Sequence, residues 1–130
     1  MSLKTHLKSG LVYLGIFAGC AGLGWAAVQL PHWLEPNYST GDFSALQSRF
    51  DTPVILFGTS WCPYCAKTRD LLRQNQIPFH EIDAEGSADE QDAYRQMNTK
   101  GVPVLVIGDR KIDGYRPEAI LEAYRHLQDS

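Results

Sequence analysis

Val54-Ile55-Leu56-Phe57-Gly58-Thr59-Ser60-Trp61-Cys62-Pro63-Tyr64-Cys65 is the stretch whose reading decides the fold. The apolar run 54–57 has the length and content of a buried strand, and Gly58 breaks it just before the cysteines. Pro63 suits the first position of a helix, where its missing N–H would be unpaired anyway, so a helix should begin beside Cys62. A strand thus delivers Cys62 to the positive end of a helix dipole, which favours a thiolate over a thiol and lowers the pKa. Cys65 follows at i+3 on the same helical face, close enough to close or resolve a disulfide. The pattern C-x-x-C is also half of a zinc site, but four ligands are normally required. The chain has no second pair, Cys20 lies in an apolar run, and His6, His32, His80 and His126 lack ligand spacing. The pair therefore reads as a redox-active dithiol, with no metal site expected.

The 130 residues, 44% of them hydrophobic, leave room for one small domain and an additional segment. A net charge of -3 with no basic patch argues against nucleic-acid binding. Three cysteines, two of them in one motif, do not make a disulfide scaffold, so stability must come from an apolar core.

Outward toward the N-terminus, residues 11–30 contain no Lys, Arg, Asp or Glu and are long enough to cross a bilayer as a helix. Lys4 and Lys8 precede this span and no Lys or Arg follows until Arg49. The positive-inside rule then places the N-terminus in the cytoplasm and the domain outside it, in a bacterial periplasm or, in a eukaryotic host, a secretory lumen. Trp25 and Trp33 lie where interfacial anchors would, and Gly15 and Gly19 make a G-x-x-x-G pair. A cleaved signal peptide ending near Ala26-Ala27, or a lipobox at Phe17-Ala18-Gly19-Cys20, are the other readings of the same span. The expected organisation is a basic segment 1–10, a transmembrane anchor 11–30, a linker 31–41 and a domain 42–130.

Within that domain, Asp42 is placed to cap a short helix through Phe50. The dithiol helix should run to about Asn75, where Ile77-Pro78 stops it. Phe79–Asp83 reads as a second strand, and Gly86-Ser87 opens a polar helix from Ala88 to Met97. Val102–Ile107 reads as a third strand, Gly108-Asp109-Arg110 as a turn, and Lys111–Asp113 as a fourth strand ended by Gly114. Pro117 opens a last helix through Leu127. Strand, helix, strand, helix, strand, strand, helix implies a four-stranded mixed sheet covered by helices, in the α/β class.

From about Pro53 to Leu127 the chain resembles the glutaredoxin family of the thioredoxin superfamily. The resemblance rests on Cys62-Pro63-Tyr64-Cys65, on Gly101-Val102-Pro103 and on Asp113-Gly114-Tyr115. It implies a thioredoxin-like fold in which Cys62 attacks the substrate disulfide and Cys65 resolves it. It implies that Pro103 is a cis-proline packed against the dithiol, that the Val102 backbone pairs with the cysteine of bound glutathione, and that Tyr64 flanks the ligand. Gly114 and Tyr115 stand in the segment that holds glutathione's charged ends in the family. Departures accompany these matches: Thr59 stands where the family often carries Lys or Arg, Gly101 replaces the usual Thr, and the Gly-Gly pair is absent. Lys67, Arg69 or Arg116 are the candidates to bind a carboxylate instead.

The expected function is reduction of protein disulfides or glutathione mixed disulfides by a membrane-tethered dithiol. Glutathione or another thiol is the donor, and no cofactor is bound. The alternatives are an iron-sulfur or metal carrier, and a thioredoxin-like reductase or oxidase with a different donor.

Overall fold

The computed structural model describes residues 9–19 and 36–130. The chain divides into two compact units, Met1–Pro36 and Asn37–Ser130. In the first, helix α1 covers residues 9–19, and its Leu11, Val12, Tyr13, Leu14, Ile16 and Phe17 are all exposed. Among the described residues no helix is long and apolar enough to cross a membrane. The rest of the expected anchor, with Cys20 and Trp25, lies outside the described residues.

The second unit runs β1 (Ser39–Thr40), α2 (Ser44–Phe50), β2 (Val54–Gly58), α3 (Pro63–Gln74), β3 (His80–Asp83), α4 (Ala88–Gln96), β4 (Val104–Ile107), β5 (Arg110–Asp113) and α5 (Pro117–Asp129). The strands lie in the order β1-β5-β4-β2-β3. Only β2 and β3 pair in parallel, since α3 carries the chain back across the sheet between them. The other pairings are antiparallel.

The central strands β2 and β4 are buried on both faces, which is why they read as continuous apolar runs rather than alternating ones. Val54 and Leu56 face a cluster with Leu72 of α3 and Ile120 of α5. Ile55 and Phe57 face the opposite cluster, with Leu46 of α2 and Ala93 of α4. The sheet is therefore the middle of three layers.

The sheet corrects the expected count of four strands: among the described residues it has five. The additional strand is β1, from within the expected linker. Its two exposed polar residues pair with Lys111 and Arg110 along the bare edge of β5. Gly41 donates its N–H to Asp109 O at 2.9 Å, and the Arg110 guanidinium lies 4.2 Å from the centre of the Tyr38 ring. Unpaired strand groups and a cation over a ring hold this segment, neither of which needs an apolar pattern.

Several element starts also differ from expectation: β3 begins at His80 rather than Phe79, and β5 at Arg110, a residue expected in the turn. The N-cap of α2 is Phe43 rather than Asp42, whose Oδ1 accepts the Ser44 N–H at 3.0 Å. Strand β4 begins at Val104, because Val102 and Pro103 belong to the loop before it. Elsewhere the local signals act as expected. Ser87 caps α4 in a reciprocal box with Glu90, and Pro63 and Pro117 open their helices. The pairings Phe57↔Val104 and Val104↔Asp113 bring the end of β2, the start of β4 and the end of β5 to one edge of the sheet. The dithiol sits at that edge.

Candidate active site

Cys62 is the N-cap of α3, in extended backbone conformation, and its sulfur accepts the Cys65 N–H at 3.2 Å. On its other side the Cys62 Sγ lies 3.9 Å from Val102 O, at the outer reach of a sulfur hydrogen bond. Both cysteines are free thiols.

Their surroundings differ sharply. Cys62 borders an open groove of about 460 Å³ lined by Trp61, Tyr64, Glu85, Tyr94, Lys100 and Val102, among others. Cys65 is 0% exposed. Burial, followed by the hydrogen bond with Cys62, pushes the Cys65 thiol up to about 12. A backbone hydrogen bond from Thr59 and the charge of Arg69 oppose that rise.

The loop that carries Val102 is fixed from three directions. The Val102–Pro103 peptide bond is cis. The Tyr94 hydroxyl donates to Gly101 O at 2.9 Å, and Gly114 donates its N–H to Pro103 O at 2.8 Å. Gly114 has φ +84, a left-handed value that a side chain would strain, so glycine suits this corner. Tyr115 beside it stacks on Tyr64, with ring centres 6.3 Å apart. Thus Cys62, Cys65, Tyr64, Val102, Pro103, Gly114 and Tyr115, expected from sequence to share a site, lie together at one edge of the sheet.

The three basic residues expected to take a carboxylate are otherwise engaged. Arg116 donates to Asp113 O and to Asn37 Oδ1. Lys67 lies over the Tyr64 ring at 5.2 Å. Arg69 turns beneath the dithiol, where its Nε reaches both oxygens of Glu81 at 2.8 and 3.0 Å and its Nη2 donates to Thr59 O. The cation in the groove is Lys100, which the sequence reading passed over. Its signal was its position directly before Gly101-Val102-Pro103. Asp113 is also occupied, accepting from Thr99 Oγ1 at 2.9 Å and pairing with Lys111 at 3.3 Å. Trp61, 66% exposed, lines the same groove as Cys62 and donates its indole N–H to Glu85 at 3.0 Å. Glu85 and Glu81 are likewise groups that no local motif marks.

Among the described residues there is no group of three or more His, Cys, Asp and Glu side chains able to hold a metal ion. A dithiol with one sulfur at a groove and one beneath it is suited to exchange with an incoming disulfide.

Comparison with known proteins agrees. The glutaredoxin family model matches residues 54–112. A glutaredoxin of Pseudomonas aeruginosa is 32% identical over 63 residues, which cover 48% of this chain and 75% of that protein. Bovine glutaredoxin-1 is 37% identical over 68 residues, covering 47% of this chain and 64% of that protein. Among solved structures, a glutaredoxin from Archaeoglobus fulgidus superposes with a TM-score of 0.51 at 26% identity, covering 56% of this chain and 86% of that one. One from Methanosarcina mazei gives 0.50 at 26% identity, covering 55% and 76%. With a thioredoxin-like sheet, a C-P-Y-C pair at a helix N-terminus and a relative this similar over three quarters of its length, the chain belongs to the glutaredoxin family of thiol-disulfide oxidoreductases.

Proposed function

We propose that this protein reduces protein disulfides and glutathione mixed disulfides through Cys62 and Cys65, with glutathione as the electron donor. The observation that carries the reading is the placement of the Cys62 sulfur. It lies at a helix N-terminus, against the Val102 carbonyl, on a groove whose cation is Lys100. The Cys62 thiolate attacks one sulfur of the substrate disulfide; a Cys62–S–S–R bond forms and the other sulfur leaves as a thiolate that takes up a proton. The Cys65 thiolate then attacks the Cys62 sulfur, the second substrate thiolate leaves and is protonated, and the two electrons passed to substrate are replaced by a Cys62–Cys65 disulfide. Two molecules of glutathione restore the dithiol and depart as glutathione disulfide. Val102 offers backbone groups to an extended ligand, Tyr64 and Tyr115 form an aromatic wall, and Lys100 pairs with a ligand carboxylate.

We also propose that residues 11–30 tether the domain to a membrane, with the N-terminus cytoplasmic and the domain in an extracytoplasmic space such as the periplasm. Support comes from the uncharged span after Lys4 and Lys8 and from the exposed apolar side chains of α1.

The test is turnover of a glutathionylated peptide by the full chain, with glutathione and a recycling system. Cys62→Ser should abolish turnover and Cys65→Ser should retain it, because Cys62 alone can pass a glutathionyl group back to glutathione. Lys100→Ala should raise KM about fivefold with kcat little changed, as the loss of one exposed charge pair would. Turnover in Cys62→Ser would refute the mechanism. Loss of turnover in the wild type, with protein disulfides still reduced by other thiols, would refute glutathione as donor.

A further inference from the structure

Cys65 must lose its proton before it can attack, yet it is fully buried and burial favours the neutral thiol. The Cys62 thiolate cannot serve as base in the resolving step, because its sulfur is then part of the mixed disulfide. A different acceptor has to be within reach.

One carboxylate is. In β3, Glu81 pairs with Leu56 and Asp83 with Gly58, so Glu81 and Asp83 alternate onto the sheet face that α3 covers. Gly58 has no side chain there. A Cβ on Gly58 would sit 3.3 Å from the Cys65 sulfur and 3.3 Å from Glu81 Oε1. The space left by the missing methyl therefore joins the buried thiol to the carboxylate. Glu81 is itself paired with Arg69, but its Oε1 is the carboxylate atom among the three atoms nearest the Gly58 position; the other carboxylates of the cluster make different contacts. Glu90 of α4 accepts from the Ser87 N–H, the Ser87 hydroxyl and the Asp83 N–H, and Asp83 Oδ1 accepts the Glu85 N–H at 2.9 Å.

Other charged groups surround Glu81. Arg69 of α3 holds it at 2.8 Å, and Asp83 and Glu90 share with Arg69 and Glu81 a cavity of about 480 Å³ that also reaches Gly58 and Ser60. Moving a proton from Cys65 to Glu81 replaces one anion beside Arg69 with another. The partly buried cluster keeps its net charge, and the desolvation penalty of creating a new uncompensated charge is avoided.

We infer that Glu81 is the proton acceptor for Cys65 in the resolving step, reached through the gap at Gly58. The inference rests on the dithiol chemistry proposed above. The Cys65 S–H bond breaks and an O–H bond forms on Glu81 Oε1, directly or by way of one water. The Cys65 sulfur bonds to the Cys62 sulfur, and the bond from Cys62 to the substrate sulfur breaks with its electron pair on the departing thiolate. That thiolate takes a proton from solvent, and Glu81 returns its own to solvent through the cavity.

The test follows dithiobis(nitrobenzoate) reduction by the reduced full chain carrying Cys20→Ser, so that Cys62 and Cys65 are its two thiols, in a stopped-flow instrument. Attack by Cys62 releases one coloured thiolate, and resolution by Cys65 releases a second. In Glu81→Gln the first release should be unchanged. The second should slow by about a hundredfold near neutral pH and then rise about tenfold per pH unit as hydroxide takes over, a profile the wild type lacks. Gly58→Ala, which fills the gap and keeps the Arg69–Glu81 pair, should show the same slowed second release; it carries the test should Glu81→Gln fail to fold. A second release that matches the wild type at every pH in either folded variant overturns the inference alone. A first release that survives Cys62→Ser overturns the dithiol reading and this inference with it.

Discussion

Cys62 and Cys65 are three residues apart on one helix, yet one borders a groove and the other is sealed beneath it. For Cys65 this has a consequence for stability as well as chemistry. Its thiol is raised from 9.0 to about 12, chiefly by burial. Between those values the unfolded chain has lost a proton that the folded chain still holds, so the stabilisation is complete below pH 9.0 and declines as pH rises toward 12. Urea midpoints of the reduced protein should therefore fall on the alkaline side, and Cys65→Ser should flatten that decline. Some slope should remain from Tyr94, whose phenol is also raised by burial. The dithiol itself was legible because a proline and two cysteines at fixed spacing need only local structure to have meaning. Glu81 and Lys100 were not. Glu81 matters through the parallel register that brings it beside Gly58, and Lys100 through the fold of a loop around Pro103, and neither relation is written in neighbouring residues.

The helix ends show the same division between local and distant causes. The Ser87-x-x-Glu90 box is complete in sequence, and the structure closes both of its hydrogen bonds. Ser87→Ala should cost about 1 kcal/mol, measured by chemical denaturation, since it leaves an N–H at the start of α4 without its acceptor. Gly86→Ala should also destabilise, because its methyl would run into the Glu90 carboxylate that closes the box. The same carboxylate is held below its usual pKa, first by the Ser87 backbone N–H and then by the Ser87 hydroxyl. The start of α2 was less legible. Asp42 has the side chain of a cap, but it hydrogen-bonds one residue away from the cap position, and Phe43 occupies that position to place its ring against the core beside Leu46. The observed start goes against the local preference for Asp42 as the cap.

At the scale of the molecule, a mixed sheet covered by helices followed from the order of the apolar runs, whereas β1 did not. Two polar residues have no period, and their pairing exists only because β5 ends the sheet beside them. Removing residues 1–41 should therefore be more harmful than removing residues 1–36. We expect the shorter fragment to be less stable by about 1 to 3 kcal/mol, the sum expected from the Tyr38–Arg110 contact and a few edge hydrogen bonds. Parallel urea titrations of the two fragments would show it. Because β1 runs antiparallel to β5, Asn37 lies near Asp113 and Arg116, at the catalytic edge. Ser130 instead lines a small cavity with Ile107 and Gly108, at the other end of the sheet. Cargo fused after Ser130 is thus carried at the far end of the sheet and leaves the approach to Cys62 clear.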